Sequence, residues 1–597
     1  MFALRSASRP LLDPLAALRD RDYRAWIAKY DTLSEGDRAA IRRHIDRFQR
    51  RPLISLLMVI DDPAAASWQA SLDSFRRQLY PHWEVCIIDN GPIGADGAGT
   101  LRTIADSDAR IRIIRRSEAG GEADAGNDAI ALARGAFIAF LEDADRLAEH
   151  ALYEIVAELD RDSEADVVYT DEDVIATGGR RSRPRFKPDW DPDLALGQDL
   201  LGRLCVLCRS VVTGIGGLRR EFEPAARRDL HLRMADAVGP ARIRHVPSVL
   251  YHRAAARDVA SPLDAPSADY VEAAREAVWR HCRARAFDVV GVEPIPMRPA
   301  WNRVVRAIPD PPPLVSLIIP TRDRAELLRA CVRGVLDRTN YRSIEVIIAD
   351  NDSVEKRTAG LFDELSRDSR VRIVKSPGPF NFSTISNAGV AAARGEIIVL
   401  LNNDVEVIGP DWLGEMVSHA ARPEIGVVGA RLLYPDGRVQ HAGIVLSPEP
   451  GANHSLRLAD GRDPGYLGQL ALTRSCLAVT GACLAMRRQL FLEIGGLNER
   501  ELSVTFNDVD LCLRLNALGY RVVCTPFAEL MHRESHSRGA DKRGAKKLRA
   551  RAELDYTAAT AAAMFAEDKY CNPNLSYTWD RGVVLTPPRR QKSWVRN

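Results

Sequence analysis

Short apolar runs alternate along this chain with longer segments whose apolar residues recur at helical spacing. Residues 53–60 and 314–319 are apolar runs of strand length. The segment after the second run predicts an amphipathic helix, and its apolar positions are Leu327, Leu328, Cys331, Val332, Val335 and Leu336. A further run ends at Asp350, and others occupy 371–374 and 397–401. Strands that alternate with helices predict a mostly parallel sheet with helices on both faces.

The same order of elements occurs twice, which predicts a tandem duplication of one domain. The recurring blocks are 54–58 with 315–319, 84–90 with 345–351, Asn127 with Asn387, Gly216 with Gly495, and His252 with His532. The offset between copies rises from 261 at the first block (54 to 315) to 280 at the last (252 to 532). The second copy therefore contains an insertion.

The duplication predicts five segments. They are a helical cap over 1–50, a first copy over 51–300, a proline-rich linker over 301–313, a second copy over 314–545, and a C-terminal helix with a short basic tail over 546–597. The prolines favour a stiff extended linker. The basic tail is predicted to be a disordered end, with an anchor to anionic lipid as the less favoured alternative.

Composition narrows the class of function. The 597 residues include 83 Lys and Arg against 81 Asp and Glu, and a net charge of +2 argues against a surface built for nucleic acid. No apolar run reaches the ~18 residues of a spanning helix, and Arg5, Arg9 and Asp13 interrupt the first residues, so we expect no secretory segment. With ten sparse cysteines, this favours a cytoplasmic protein. Cys205 and Cys208 form a lone CxxC in an apolar stretch, which favours a strand over a zinc or redox site.

Candidate chemistry lies after the predicted strands, because parallel sheets bind ligands beyond their carboxyl ends. The strand 397–401 is followed by Asn402, Asn403 and Asp404. A carboxylate with neighbouring amides can hold a divalent cation. The same residues are common turn formers, and for this segment taken alone the turn is the favoured interpretation.

A second acidic group, Asp508 and Asp510, precedes a helix-like run. These residues can cap the helix or supply a general base, and both roles can hold because the two carboxylates need not act alike. His532 is either a surface histidine or a ligand that completes a metal site with Asp404, and its counterpart His252 shows that the position is a feature of the domain. The chain has no GxGxxG or Walker A sequence, which argues against a dinucleotide oxidoreductase or a P-loop NTPase.

Several segments together carry a resemblance to a known family. They are VSLIIPTRDR, EVIIADNDS, FNFSTISNAGVAAARG, VLLNNDVEVI, VGARLLYPDGRVQHAG, VTGACLAMRR and FNDVDLCLRL. The chain resembles the family 2 glycosyltransferases of bacterial polysaccharide assembly, and most closely their long tandem members of O-antigen and rhamnan-type glycans. The resemblance covers almost the whole chain, and it implies two tandem α/β domains of the Rossmann-like GT-A fold with mostly parallel sheets, plus an N-terminal helical segment.

The resemblance also implies roles for single residues. Asp404 and His532 would bind the metal, Mg²⁺ or Mn²⁺, and Asp508 would be the catalytic base. The residues implied to contact the nucleotide sugar and the acceptor beside it are Pro320, Thr321, Asp350, Asn387, Asn402, Asn403 and Gly481. The implied activity is inverting transfer from a nucleotide-diphospho-sugar to a glycan or lipid-linked acceptor in cell-surface polysaccharide biosynthesis. A peripheral contact with the inner membrane is a further expectation.

The first copy departs from this set. At an offset of 260, Asp404 falls on Ala144, although the adjacent Asp145 could substitute with a shifted geometry. At an offset of 281, Asp508 falls on Arg227, which cannot accept a proton. We therefore expect the first copy to be degenerate, holding acceptor glycan or supporting the second copy. The competing hypothesis is a bifunctional transferase whose first copy uses Asp143, Asp145 or the acidic run 171–173.

Two other functions stay open from the sequence. One is a non-catalytic glycan-binding or assembly scaffold, against which the set of Asp404, Asp508 and His532 argues. The other is a nucleotidyltransferase that makes the sugar nucleotide, a class that relies on a basic, glycine-rich loop after its first strand. The turn PTRDRAELL lacks such a loop.

Overall fold

The computed structural model describes residues 18, 20–62, 67–91, 98–118, 120–255, 267–285, 288–449, 451–533, 544–578 and 582–595. The described chain forms two compact units. The first unit comprises 18–304, 571–575 and 585–595, and the second comprises 305–570 and the remaining C-terminal residues from 576 to 584.

The first unit opens with two helices, α1 (Asp20–Trp26) and α2 (Glu35–Ile45), joined by a π-helical turn. Its strands are β1 (Ile54–Ile60), β2 (Trp83–Asp89), β3 (Ile111–Arg115), β4 (Phe137–Leu141), β5 (Arg146–Leu147), β6 (Val167–Ile175), β7 (Arg181–Arg185), β8 (Cys205–Cys208), β9 (Ile243–Ala254), β10 (Val289–Ile295) and β11 (Arg298–Arg306). Its other helices are α3 (Ser67–Arg76), α4 (Ala98–Ser107), α5 (Glu122–Leu132), α6 (Ala151–Arg161), α7 (Pro192–Gly197), α8 (Arg209–Gly214), α9 (Ala226–Val238) and α10 (Ala268–Ala284).

The first unit is built on a mixed sheet with the strand order β3-β2-β1-β4-β8-β6-β9-β5, and β7 pairs with β6. β1 runs parallel to β2 and β4, while β8 is antiparallel to β4. Side chains alternate across β1, so that Leu56 and Met58 enter one core and Leu57 enters the core on the other face. Burial on both faces explains why these strands are continuous apolar runs in the sequence.

The second unit repeats this architecture. The strands of this part of the chain are β12 (Val315–Thr321), β13 (Ile344–Asp350), β14 (Val371–Lys375), β15 (Ile397–Leu401), β16 (Val405–Val407), β17 (Ile425–Leu433), β18 (Val439–His441), β19 (Ile444–Ser447), β20 (Gly451–His454), β21 (Arg474–Cys476), β22 (Cys483–Arg487), β23 (Arg521–His532), β24 (Leu575–Thr578) and β25 (Gly582–Leu585). The helices are α11 (Ala325–Arg338), α12 (Lys356–Leu365), α13 (Phe382–Ala392), α14 (Trp412–Ala420), α15 (Arg488–Glu493), α16 (Asn507–Ala517), α17 (Gly544–Thr560) and α18 (Ala562–Ala566).

The second sheet has the order β14-β13-β12-β15-β22-β17-β23-β16, with β18 beside β17 and β21 beside β23. Strand for strand, this is the order of the first sheet, so the predicted duplication and the predicted α/β fold are confirmed. β12 is parallel to β13 and β15, and Thr321 is the register partner of Asp350. The loops that follow these three strands therefore leave the same edge of the sheet.

Two expectations about the ends of the copies need correction. The boundary placed at residue 300 falls inside β11, whose last two residues, Val305 and Arg306, belong to the second unit. The basic tail is not a disordered end over 585–595. Arg590 Nη2 lies 2.7 Å from Glu158 Oε2, and the indole of Trp594, 7% exposed, donates to Asp37 Oδ1 at 2.7 Å. These partners lie 432 and 557 positions away in the sequence, where no local pattern connects them to the tail.

Two simpler expectations can be compared directly. All ten cysteines are free, and Cys205 and Cys208 lie on β8, so the prediction of a strand at the CxxC is confirmed. None of the helices in the described part of the chain is both long and apolar enough to cross a membrane.

Candidate active site

The carboxyl edge of the second sheet is held together by hydrogen bonds between its loops. The amide of Asn403, after β15, donates to Thr321 Oγ1 at the end of β12 over 2.9 Å. Asp323 Oδ1 accepts the backbone N–H groups of Val354 and Glu355, both at 2.8 Å, which ties the loop after β12 to the loop after β13. The ends of β12, β13 and β15, where the sequence predicts the site, are therefore connected by hydrogen bonds along one edge of the sheet.

Asp404 and His532 meet at this edge because Val405 and His532 are register partners on β16 and β23. His532 Nε2 lies 3.0 Å from Asp404 Oδ1, and both side chains are buried. His532 Nδ1 lies 2.9 Å from Gln440 Oε1. An amide oxygen only accepts, so Nδ1 carries a proton that it donates to Gln440, and Nε2 is the ring atom that faces the Asp404 carboxylate. A proton or a cation between the two atoms satisfies both.

The donor set fits a divalent cation that a bound ligand completes. Over the described ranges, no group of three or more His, Cys, Asp or Glu side chains is placed to hold a metal ion. Asp404 and His532 thus supply one oxygen and one nitrogen, and the amide of Asn402 lies 3.5 Å from His532 Nε2. Mg²⁺ binds through few protein carboxylates and completes its shell with water and phosphate oxygens. A pair of this kind suits a cation that bridges to a diphosphate.

The two carboxylates at the start of α16, Asp508 and Asp510, have different partners in the structure. Asp510 is buried and paired with Arg514 at 2.8 Å, and Arg514 in turn donates to the carbonyls of Ile494 and Gly496. Asp508 is half-buried and has no cationic partner within ion-pair distance among the described residues. Asp510 therefore has a structural role, while Asp508 is available for chemistry.

Backbone groups position Asp508. Its Oδ2 accepts the N–H of Gly481 at 2.7 Å and its Oδ1 accepts the N–H of Val509 at 2.8 Å. Burial raises the pKa of the Asp508 carboxyl, and these hydrogen bonds only partly offset that effect. A Cβ atom on Gly481 would lie 3.4 Å from Asp508 Cβ, so glycine at this position keeps the face of the carboxylate open. Phe506, which precedes the helix, has a φ of 60°, a left-handed conformation that is costly for a non-glycine residue.

Two residues expected to contact the nucleotide sugar lie at the ends of β12 and β13. Pro320 is half-buried and pairs with Ala349. Asp350 is fully buried, and Lys375 Nζ lies 2.6 Å from its Oδ2. Since the Lys375 side chain is 67% exposed, it can leave, and a contact between Asp350 and a ligand requires that it does. Sequence reasoning did not single out Lys375, because its partner Asp350 lies on a different strand, 25 positions earlier.

Asn387 is the one predicted binding residue to which the structure gives another role. Its Nδ2 donates to Leu497 O at 2.9 Å and to Glu499 Oε1 at 2.7 Å, and its Oδ1 accepts the N–H of Leu497 at 3.0 Å. Asn127 makes the same pair of bonds to Leu218 in the first unit. The amide bridges α13 to the loop after α15, and its counterpart bridges α5 to the loop after α8, so its recurrence reflects the scaffold rather than ligand binding.

Two supporting residues were missed by sequence reasoning. Gln440 orients His532, and the buried His441 beside it accepts the backbone N–H of Thr480 at 3.3 Å through Nε2. Burial keeps the pKa of His441 well below its ordinary value, so the ring is neutral and can accept this bond. Both residues belong to the segment RVQHAG. Its two adjacent polar residues within an apolar stretch were a signal that pointed to them.

The corresponding edge of the first unit carries different residues at the positions of Asp508 and its neighbours. Asp229 pairs with Arg233 there as Asp510 pairs with Arg514, at 2.8 Å in both units, which confirms that Arg227 stands at the position of Asp508. The offset of 260 that placed Asp404 on Ala144 is wrong. Four residues (142–145) separate β4 from β5, whereas three (402–404) separate β15 from β16. His252 pairs with Arg146 as His532 pairs with Val405.

That extra residue places Asp145, and not Ala144, at the position of Asp404. Its carboxylate accepts the hydroxyl of Tyr251 at 2.6 Å and the N–H of Ala254 at 2.7 Å, and burial raises its pKa to about 6. His252 Nδ1 is 2.7 Å from Asp173 on the neighbouring strand. The aspartate and histidine of the second unit therefore have counterparts in the first, but these have different partners.

The acidic run 171–173 of the first unit is fully buried, and each of its carboxylates has a partner. His245 Nε2 lies 2.9 Å from Asp171, Lys187 Nζ lies 3.0 Å from Glu172, and Arg181 Nε lies 2.6 Å from Asp173. These three residues form a core ion network. They are not available to a substrate, which removes them from the list of possible catalytic groups in the first copy.

Two α/β sheets of the same order, each with its polar residues at the carboxyl edge, make this a tandem protein of the GT-A fold. The profile of the glycosyl transferase family 2 matches residues 65–211 and 316–495, one stretch in each unit and together more than half of the chain. The chain belongs to this family.

Curated relatives match almost the whole chain. The uncharacterized protein y4gI of Sinorhizobium fredii is 39% identical over 593 residues, 98% of this chain and 65% of that protein. The O-antigen biosynthesis protein RfbC of Myxococcus xanthus is 38% identical over 581 residues, 96% of this chain and 44% of that protein. This chain therefore spans less than two thirds of either relative.

Among solved structures, a mannosyltransferase of Pyrobaculum calidifontis in complex with GDP-Man and Mn²⁺ is 18% identical, with a TM-score of 0.29, over 49% of this chain and 85% of that one. Likeness at this level carries no argument about ligands.

Proposed function

We propose that the second unit transfers a sugar from a nucleotide-diphospho-sugar to a glycan or lipid-linked acceptor with inversion at the anomeric carbon. The observation that carries this proposal is the contrast at the start of α16. Asp510 is neutralised by Arg514, whereas Asp508 is a half-buried carboxylate with no cationic partner in the described chain. Membership of the glycosyl transferase family 2 supports the class of reaction.

Asp508 acts as the general base. Its carboxylate takes the proton of the acceptor hydroxyl while the new bond from that oxygen to the anomeric carbon forms. The bond from the anomeric carbon to the diphosphate oxygen breaks, and the nucleoside diphosphate leaves with the electron pair. Base catalysis of this kind contributes roughly 10²–10⁴-fold to the rate. A raised pKa makes Asp508 a stronger proton acceptor than an exposed aspartate.

Asp404 and His532 would hold a divalent cation, Mg²⁺ or Mn²⁺, which when bound would offset the negative charge of the diphosphate. Gln440 keeps Nε2 of His532 directed at Asp404 by accepting the proton of the other ring nitrogen. A fixed tautomer of this kind presents a lone pair to a metal without rearrangement.

The strand ends bind the donor. Thr321 and Asn403 bond to each other and so keep the loops after β12 and β15 at a constant separation. Pro320 and Asp350 line the nucleoside side of this edge, Asn402 lies at the diphosphate beside His532, and Gly481 borders the acceptor beside Asp508. Each of these contacts is part of the proposal.

The name of the Myxococcus xanthus relative supports a place in the synthesis of a cell-surface polysaccharide such as an O-antigen. A lipid-linked acceptor would give the proposed peripheral contact with the inner membrane a chemical reason. A non-catalytic scaffold is the weaker alternative, because it does not require a base kept free of counter-ions.

The test is a screen of the full chain with Mn²⁺ and a panel of nucleotide-diphospho-sugars, with short lipid-linked saccharides as acceptors. We expect release of a nucleoside diphosphate that depends on the acceptor, and a product whose anomeric configuration by NMR is opposite to that of the donor. Retained configuration would refute the inverting mechanism. Binding of acceptor without release of nucleotide from any donor would favour the scaffold.

A further inference from the structure

The first unit contains a cavity of about 890 Å³ at the edge of its sheet where β4 ends. All of the residues that line it belong to that unit. It occupies the place that corresponds to the candidate active site of the second unit, since Asp145 and Arg227, the counterparts of Asp404 and Asp508, both face it. Its volume lies within the range of about 300–1,000 Å³ typical of ligand sites.

Four arginines that line this cavity replace neutral or acidic residues of the second unit. Strand register and helix position give the correspondences, which are Arg146 for Val405, Arg203 for Ala482, Arg227 for Asp508 and Arg228 for Val509. These four positions therefore carry four positive charges in the first unit and one negative charge in the second, although four acidic side chains (Glu122, Glu142, Asp145 and Asp199) also line the cavity. A loss of catalysis alone would not require this change of charge.

Two of these arginines share one carboxylate. Arg203 and Arg227 both bond to Glu142, and Arg227 also bonds to Glu122. Burial opposes ionisation of Glu142, but the two guanidinium groups outweigh it and lower its pKa to about 2. The cluster is therefore held in its charged form, and it orients Arg203 and Arg227 at the cavity wall.

The other two arginines have no carboxylate partner. Arg228 is 4% exposed, its Nη2 donates only to the carbonyls of Ala195 and Leu196 at 3.0 and 3.1 Å, and its Nε has no hydrogen-bond partner within the described structure. The Arg146 side chain is half-buried, and its buried Nε has no hydrogen-bond partner within the described structure. Among the described residues no carboxylate lies within ion-pair distance of either guanidinium, although Arg228 helps to lower the pKa of Asp199, which also lines the cavity. Buried N–H groups without a hydrogen-bond partner are unfavourable, so these two side chains favour an anion in the cavity.

Guanidinium groups match phosphate oxygens in geometry as well as charge, because they donate two parallel N–H bonds from a rigid plane. We propose that the first unit binds the diphosphate group of a phosphorylated ligand directly through Arg146 and Arg228, without a metal ion. Asp145, the counterpart of the proposed metal ligand Asp404, already accepts the hydroxyl of Tyr251 and the N–H of Ala254, so the proposal assigns it no metal ion. This inference does not depend on catalysis by the second unit.

The test measures binding to the full chain by isothermal titration calorimetry in EDTA, which removes any metal-dependent site. The three probes are inorganic pyrophosphate, UDP and geranyl diphosphate, which share the diphosphate group. We expect saturable binding of at least one probe and a loss of about tenfold or more in affinity in Arg146→Gln. Arg102→Gln, an exposed arginine on α4 outside the cavity, is the matched control and should bind like the unmodified chain.

Tighter binding of UDP than of pyrophosphate would assign the ligand to the nucleotides, and tighter binding of geranyl diphosphate would assign it to the lipid diphosphates. Arg146→Val, which installs the residue of the second unit, repeats the test with a side chain that this fold accepts at the equivalent position, and circular dichroism checks that both variants are folded. Absence of binding by the unmodified chain in EDTA would overturn the proposal. So would equal affinities of the Arg146 and Arg102 variants, or a loss of binding in EDTA on Asp508→Asn.

Discussion

Nε2 of His532 lies 3.0 Å from Oδ1 of Asp404, and Gln440 holds the other nitrogen of the same ring at 2.9 Å. The three residues come from β23, the turn before β16, and β18, so the geometry is fixed by three separate parts of the chain. By accepting the proton of Nδ1, Gln440 keeps Nε2 turned towards the carboxylate of Asp404, where a proton or a cation satisfies both atoms. The arrangement is prepared for a cation before any ligand binds.

Gln440→Ala should therefore weaken metal dependence without removing the ligands. Loss of such a supporting partner commonly costs 10–100-fold in metal affinity. We expect the Mn²⁺ concentration for half-maximal transfer to rise by about that factor, with most of the rate recovered at saturating Mn²⁺. Gln489→Ala, an exposed glutamine on α15, is the control and should titrate like the unmodified chain. An unchanged Mn²⁺ titration of Gln440→Ala would show that the ring does not need this partner.

The pH profile should report the protonation of Asp508. Only the carboxylate accepts a proton, so transfer falls as the pH is lowered through the pKa of this group. Burial raises that pKa, which places the acidic fall of kcat/KM above the ordinary value of about 3.9 for an aspartate. The measurement is kcat/KM against pH at saturating Mn²⁺. The residual rate of Asp508→Asn should lack this fall, and a fall of the same position in that variant would assign it to another group.

Asn387→Ala and Asn127→Ala should both destabilise their units, because both amides bridge a helix to a loop through the same pair of bonds. Asn387 also bonds to Glu499. In each variant we expect the free energy of unfolding to fall by about 1–3 kcal/mol. Urea denaturation measures this, and Asn340→Ala, an exposed asparagine, should change it by no more than about 0.5 kcal/mol. A specific rise in the KM for the donor, with normal stability, would instead restore Asn387 to the binding site.

The repeated architecture could be predicted because it depends on local patterns of apolar residues that occur in both copies. Apolar runs such as 54–58 and 315–319 become the central strands of both sheets, and the helical spacing after β12 becomes α11. The polar residues that follow β15 could be located by the same reasoning, since a parallel sheet brings its strand ends to one edge. Asp508 was singled out as one of two acids, and sequence spacing did not separate it from Asp510.

Tertiary partners account for what could not be predicted. The ion pair of Asp510 with Arg514 is local to α16, but only the fold shows that Asp508 lies against the backbone of Gly481 instead. The single extra residue before β5 moves Asp145 into the place of Asp404, and only the pairing of β5 with β9 reveals that shift. The C-terminal tail is ordered by residues such as Glu158 that lie hundreds of positions earlier.

The central claim is that Asp508 is the base of a sugar transfer carried out by the second unit. The most direct test compares Asp508→Asn with Asp436→Asn, an exposed aspartate of the same unit, in acceptor-dependent release of nucleoside diphosphate. We predict that Asp508→Asn lowers kcat by roughly 10²–10⁴-fold while its affinity for the nucleotide sugar stays unchanged, and that Asp436→Asn transfers normally. Full transfer by Asp508→Asn would contradict the account.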